Sequence, residues 1–430
     1  MRSLALATFL FASLPFVLWR PAIGVFLWVW VSVMSPHRLT WGFAHDFRWA
    51  YLIAIATLAG IVVSREPRRL PVTPVTAVLA ALALWMTMTT YFAIDLTLSL
   101  KMWERVMKIV FMVFVALYVL HSKRHVQVLI WVLAGSIGFY GIKGGLFTLA
   151  KGAQYRVYGP PGSFIEENNA LALATIMTIP LLYYGFLRAP RHWARWGLIG
   201  AMVLCGFSVL GSHSRGGLVA IAVMLAFLWW QSRAKLVTSA VLVVLIPLAI
   251  AFMPSHWLER MRTIATYDRD SSAMARLNAW QTAFNVANDR PLGGGFEMGS
   301  EAVFARYAPV PEEACAAHSI YFQVLGEHGF PGLVLFVLLW LLVWRDTWWI
   351  IRRARDQPDL GWASDLARMI QVSLVGFFVG GAFLSLAYYD VPYNLLIAVV
   401  LTRVLVEADL ARREPTARPV GQPCIGTAPA

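Results

Sequence analysis

Charge and cysteine are what this chain has least of. Charged residues make up 14% of its 430 residues, against about 25% in soluble domains, which excludes a soluble domain with one anchor. The three cysteines, Cys205, Cys315 and Cys424, are odd in number and far apart. They supply neither a disulfide framework nor metal-ligand spacing. No Walker loop and no glycine-rich dinucleotide fingerprint occurs, so an ATP-driven or nucleotide-sugar reaction has little support. The apolar runs are continuous rather than alternating, which argues against a β-barrel. No small-residue cleavage site follows the first run, Leu4–Trp19; Arg20-Pro21 comes next, and the run reads as a retained span.

What is present is apolar. Hydrophobic residues reach 59% and mean hydropathy is +0.63. The runs are Leu4–Trp19, Ala22–Met34, Trp49–Val63, Val75–Ile94, Val106–Leu120, Val126–Leu149, Ala170–Leu187, Trp196–Gly211, Leu218–Trp230, Leu236–Met253, Phe330–Trp344, Ile370–Tyr388 and Val391–Leu405. They predict an all-α polytopic membrane protein of about 12 transmembrane helices, or thirteen if the first two runs form a hairpin rather than one kinked helix. Residues 1–253 hold the first nine or ten spans, 254–329 a long helical loop and 330–406 the last spans; 407–430 form a tail whose Pro, Gly and Ala content predicts disorder.

The net charge of +13 sits in short loops, which is the positive-inside pattern and not a nucleic-acid surface. The cytoplasmic set is Arg65, Arg68 and Arg69; Lys123 and Arg124; Arg188, Arg191 and Arg195; Arg233 and Lys235; Arg345, Arg352, Arg353 and Arg355; and Arg412, Arg413 and Arg418. Two spans separate each group from the next, so the C-terminus is expected in the cytoplasm. The opposite face then carries Pro36–Arg48, Thr97–Lys108, Lys151–Asn169, Ser212–Gly217 and Pro254–Gly329. Within the last, Ser272–Val286 reads as a helix with Ser271 or Ser272 as N-cap, Val303–Tyr307 as a shorter one, and Pro291–Phe296 as a turn between them.

Arginines on that outer face run against the positive-inside bias, so each needs a reason. Arg215 stands in Ser212-His213-Ser214-Arg215-Gly216-Gly217, at the outer N-terminus of an apolar helix. Guanidinium, free helix amides and two glycines together suit an oxyanion; the alternative is snorkelling to the interface. Arg156 precedes Gly159-Pro160-Pro161-Gly162 and either binds a ligand or pairs with Glu166 or Glu167. Arg276 lies on the first loop helix, where pairing with Asp268 or Asp270 competes. Arg105, beside Glu104, Lys101 and Lys108, reads as interfacial, and Lys143 as snorkelling. His213 is a second titratable group, disfavoured as a cation by Arg215. Asp390 lies beside Tyr388 and Tyr389 in a possible lipid-facing cleft. The long loop holds six arginines, no lysine and nine acidic residues, so it is no simple cationic patch. Asp268-Arg269-Asp270 matches the DxD spacing of metal-dependent glycosyltransferases, but next to a helix start such aspartates more often serve the helix dipole.

Ala317-His318-Ser319-Ile320-Tyr321 through Gly329 places an imidazole directly before the Phe330–Trp344 run. Histidine titrates near neutrality and is a usable base with little perturbation.

Four stretches resemble the O-antigen ligase superfamily, which includes O-antigen polymerases and bacterial O-linked oligosaccharyltransferases. They are Tyr155–Gly159 with Asn168–Ala172, Ser212–Gly217, Ala275–Trp280 leading to Arg290–Phe296, and Ala317–Gly329, in the family's order. Ser319 departs from the Asn that often follows the histidine. The N-terminal half is similar to glycosylation ligases associated with exosortase systems. The resemblance implies a GT-C-like, metal-independent, inverting glycosyltransferase of the bacterial inner membrane with no cofactor and a periplasmic active site. Its donor would be a glycan on undecaprenyl pyrophosphate. Arg215 and Arg276 match the positions that hold the pyrophosphate and His318 matches the base; Arg156 joins them from its own setting. The expected acceptor is the lipid A–core oligosaccharide, with protein hydroxyls or a growing glycan as alternatives. A polyprenyl-lipid transporter is the non-enzyme alternative; inverted repeats and midplane charges, which it would be expected to show, are not seen.

Overall fold

Each of these apolar runs overlaps a helix. The computed structural model describes residues 1–66, 68–232, 234–262 and 271–413, and contains no strand among them. In chain order the helices are α1 (Arg2–Trp19), α2 (Pro21–Met34), α3 (Phe43–Asp46), α4 (Trp49–Val63), α5 (Pro74–Tyr91), α6 (Leu96–Val119), α7 (Lys123–Ala150), α8 (Asn168–Arg188), α9 (His192–Gly211), α10 (Arg215–Gln231), α11 (Lys235–Phe252), α12 (Ser255–Arg262), α13 (Ser271–Asp289), α14 (Glu301–Tyr307), α15 (Ile320–Ala354), α16 (Gly361–Gly381) and α17 (Asp390–Arg413).

Seven helices among the described residues are long and apolar enough to cross a membrane: α1, α5, α7, α8, α9, α15 and α16 with its preceding turn. An eighth is gained if Thr238–Phe252 and Ser255–Met261, which meet at 111°, form one broken span. Helices α2, α4 and α10 are apolar but shorter. The first two runs are separate helices, broken where Arg20 is extended (φ −131°, ψ 94°). Phe9 meets Trp30 edge-on with ring centroids 5.7 Å apart, so the chain doubles back as a hairpin.

Helix α8, buried along most of its length, is the centre of the bundle, with α7, α9, α10 and α16 around it. Apolar contact drives no association between helices in lipid, so close backbone approach has to do so. The α7–α9 crossing shows this. A Cβ on Gly145 would lie 2.1 Å from the Leu204 carbonyl oxygen, and one on Gly144 would lie 2.3 Å from Ser208 Oγ. Cys205 is buried in the same crossing, which explains it as a small packing residue.

Several basic groups meet at one end of the bundle. Arg188 pairs with Asp365, Arg413 pairs with Asp359, and Lys123 lies over Trp362. The other end gathers the segments read as the outer face. Among the described residues, five non-glycine residues have positive φ, namely Ser35, Ala153, His213, Glu297 and His318. All five sit in connections at this second end, where strained backbone commonly marks function.

Helix α15 has 35 residues, about 52 Å at 1.5 Å per residue, too long for one span. Gly329 (φ 67°, ψ −173°) breaks it. The run expected from Phe330 is therefore the spanning part, and Ile320–His328 is an outer half-helix. Pro291–Phe296 is more than a turn. It bonds the half-helix through Gly294 N–H to Gly326 O (2.8 Å) and Gly295 N–H to Glu327 O (2.9 Å), and it reaches α5–α6 through Ile94 N–H to Gly294 O (2.8 Å). The run Ile370–Tyr388 is not one helix: α16 stops at Gly381, and 382–389 form a buried apolar connection that organises the site.

Candidate functional site

The Ser212–Gly217 motif builds a capped helix start. Ser214 is the N-cap of α10; its Oγ accepts from Gly217 N–H (3.0 Å), and Ser212 Oγ accepts from Ser214 N–H (3.2 Å). Ser212 O accepts from Asn168 Nδ2 (2.7 Å), so the starts of α8 and α10 are tied together. Between them lies a narrow cleft lined by Asn169, Ser214, Gly216, Gly217 and Arg276, with Phe383 and Leu384 of the 382–389 connection over it. Two helix N-termini and one guanidinium thus face the same space, an arrangement suited to an anion. The cavity volume is about 10 Å³, room for one water-sized group. The close approach that Gly216 permits is taken by Phe383, whose side-chain carbons lie 3.0–3.3 Å from a Cβ built on it. Any group larger than a water needs Phe383 to move outward.

Helix α13 positions both Arg276 and His318. Asn278 Nδ2 donates to Val310 O (2.9 Å) and its Oδ1 accepts from Val310 N–H (3.1 Å), pinning the helix two residues beyond Arg276. Trp280 stacks on Phe322 at 4.9 Å and donates from Nε1 to Ala317 O (2.8 Å), the residue before His318. His318 is half-buried in the left-handed region at φ 46°. Its N–H donates to Ser385 Oγ (2.8 Å), next in sequence to the cleft residue Leu384. Burial, and then the nearby Arg276 charge, push the His318 imidazole below its ordinary pKa, while Glu167 pushes the other way. Burial and the Arg276 charge both favour the neutral ring, the form that a base requires.

Of the four residues singled out in the sequence, three are brought close. Arg276 lines the cleft, His318 is charge-coupled to Arg276, and Arg215 stands between the lining residues Ser214 and Gly216 without lining the cleft itself. Arg156 is exposed and sits beside His213, where Val157 N–H donates to Gly211 O (3.1 Å). Arg156 makes no ion pair among the described residues, and Glu166 instead accepts from Gly162 N–H (2.7 Å). Asp268 and Asp270 lie outside the described residues.

His213 is held neutral for a different reason than its neighbour Arg215. Burial is the main cause of its lowered pKa; the bond to the Ala153 carbonyl opposes it, and His256, Arg156 and Arg260 add to the lowering. Its ring faces Ala153 O (3.0 Å) and its own carbonyl accepts from Arg260 Nε (3.0 Å), so it anchors the α9–α10 turn to α12. Asp390 is buried in protein and accepts from Ser32 Oγ (2.9 Å) rather than facing lipid. Glu104 pairs with Lys108 and not with Arg105. Sequence reading missed Phe383, Leu384 and Ser385, because an apolar connection is indistinguishable from the end of an apolar helix.

The comparisons with known proteins divide along the same lines. Residues 200–337, which contain Arg215, Arg276 and His318, match the family model described as O-antigen ligase. Residues 1–188, which contain Arg156, match a family of unknown function (DUF5935). No curated protein matches the chain.

Proposed function

We propose that this chain, whose residues 200–337 belong to the O-antigen ligase superfamily, ligates a glycan from undecaprenyl pyrophosphate onto a lipid A–core hydroxyl. The superfamily is one of membrane glycosyltransferases that act on lipid-linked glycans. One observation carries the finer reading: Arg276 reaches over the capped start of α10, while the same helix α13 holds His318 within its electrostatic range.

The chemistry follows from the parts. A lipid pyrophosphate is its own leaving group. The acceptor hydroxyl attacks the anomeric carbon, His318 takes its proton, and the bond from that carbon to the pyrophosphate oxygen breaks with its electron pair going to the pyrophosphate. Arg276, Arg215 and the amides of the α8 and α10 first turns stabilise the charge gained there; Arg156 meets the donor at the outer edge. A single displacement inverts the anomeric centre. The bundle is read as GT-C-like in the bacterial inner membrane, with about 12 spans, or thirteen with α1 and α2 counted separately, the cleft opening to the periplasm and the C-terminus cytoplasmic. The basic groups gathered at the opposite end of the bundle support that orientation.

The test is purified protein in detergent with an undecaprenyl-pyrophosphate-linked glycan, offered lipid A–core or a serine-containing peptide in parallel. Transfer to lipid A–core that His318→Ala abolishes, with the variant still inserted in membranes, is the expected result. Transfer to the peptide alone would make the enzyme a protein O-oligosaccharyltransferase, and undiminished transfer by His318→Ala would remove the base.

A further inference from the structure

The strongest feature that this reaction leaves unused lies beyond the 382–389 connection, in the part of the chain matching the family of unknown function. Arg105, on the third turn of α6, sits over the Phe164 ring with its guanidinium carbon 3.6 Å from the ring centroid. Arg38, in the turn after α2, brings its guanidinium to 3.1–3.4 Å from where a Cβ of Gly162 would be. The two cations therefore flank the short loop Gly162–Phe164. Neither makes an ion pair or a hydrogen bond among the described residues. The carboxylates in range of Arg105 are Asp390 and Glu297, and neither touches it. Arg105 remains exposed, so its N–H groups are accessible while its guanidinium rests on an aromatic ring. A guanidinium held on an aromatic ring with accessible N–H groups is preorganised for a planar or tetrahedral oxyanion.

The same loop leads to His318. Glu167, three residues beyond Phe164, acts electrostatically on His318. Phe164 meets Tyr389 at 6.1 Å, and Tyr389, whose hydroxyl has no hydrogen-bond partner among the described residues, lies four residues beyond the Ser385 that holds His318. His318 thus has the Arg276 cleft on one side of the 382–389 connection and the Arg38–Arg105 pair at its other end.

We infer that Arg38 and Arg105 form a second oxyanion site, separate from the pyrophosphate cleft, which takes a phosphate or carboxylate carried on the sugars of the acceptor. The acceptor half of this assignment rests on the transferase reading; the anion site does not. The first arm of the test needs no turnover. Full-length protein in detergent is treated with phenylglyoxal, and modified arginines are mapped by mass spectrometry with and without inorganic phosphate. Arg105 and Arg38 react, and phosphate slows both several-fold in wild type and equally in Arg215→Gln. Absence of protection in wild type, or its loss with Arg215→Gln, overturns a separate site. The second arm measures transfer. Arg105→Gln raises the acceptor KM about tenfold or more, the loss of one hydrogen bond to a charged group, and leaves the donor KM unchanged. The loss is smaller for an acceptor stripped of its phosphates. A rise in donor KM instead overturns the acceptor placement. Arg105→Lys, which keeps the charge but not the planar face, folds like wild type and shows the same direction of change.

Discussion

At the residue scale, His318 is defined less by its identity than by its neighbours. Burial and the Arg276 charge hold the imidazole neutral, and Glu167 opposes them. A base works in its neutral form, so the acid limb of kcat/KM should lie below the ordinary histidine pKa of about 6.5. Arg276→Gln removes a cause of the lowering, and the limb should move up in pH while kcat falls about 100-fold through lost charge stabilisation. Glu167→Gln removes the opposing cause, and the limb should move down. Opposite displacements in the two pH–rate profiles are what a merely structural loss cannot produce; parallel or absent displacements would refute the base assignment. The histidine was legible in the sequence because it stands in a polar stretch that leads into an apolar run and matches the family's base. Its partner Ser385 was not, because a serine 67 positions away carries no local signal.

At the element scale, α13 links the two halves of the candidate site, since Trp280 fixes the backbone before His318 while Arg276 sits one turn away. Trp280→Phe keeps the stacking on Phe322 and removes the bond to Ala317 O. It should cost about 1 kcal/mol locally and lower kcat more than it raises donor KM. Equal changes in both would mean that α13 serves binding alone. The helix itself was legible from Met274, Leu277, Trp280, Ala283 and Phe284 at helical spacing. The outer half-helix Ile320–His328 was less so, because Gly329 and Pro331 mark a break at just the point where helical pairing continues on both sides.

At the scale of the whole molecule, the bundle depends on places where backbones touch. Gly145→Ala would set a methyl group 2.1 Å from the Leu204 carbonyl oxygen, and a backbone atom cannot swing aside as a side chain can. The cost should be about 1–3 kcal/mol of overpacking, read as a lower thermal midpoint in detergent, whereas Gly135→Ala, on the same helix with nothing within 4 Å, should leave the midpoint unchanged. Equal effects would show that the α7–α9 crossing does not limit stability. The hairpin of α1 and α2 belongs to this scale too: Arg20-Pro21 announces a break, but only the Phe9–Trp30 contact shows that the chain turns back.

Hydropathy along the chain by itself determined that this protein is a helical membrane bundle, where its apolar runs lie and which connections carry the basic groups, because burial in lipid acts on each segment independently of its neighbours. The sequence also offered Arg215 and Arg156 as candidates from their settings, whereas Arg276 and the role of His318 entered through the resemblance to the O-antigen ligase superfamily. Only the tertiary structure decided that Arg276 and not Arg156 enters the cleft, that Phe383 covers Gly216, and that Arg38 and Arg105 share one loop. Those relations join residues tens to hundreds of positions apart, and no property of a single segment encodes which distant segment it will touch.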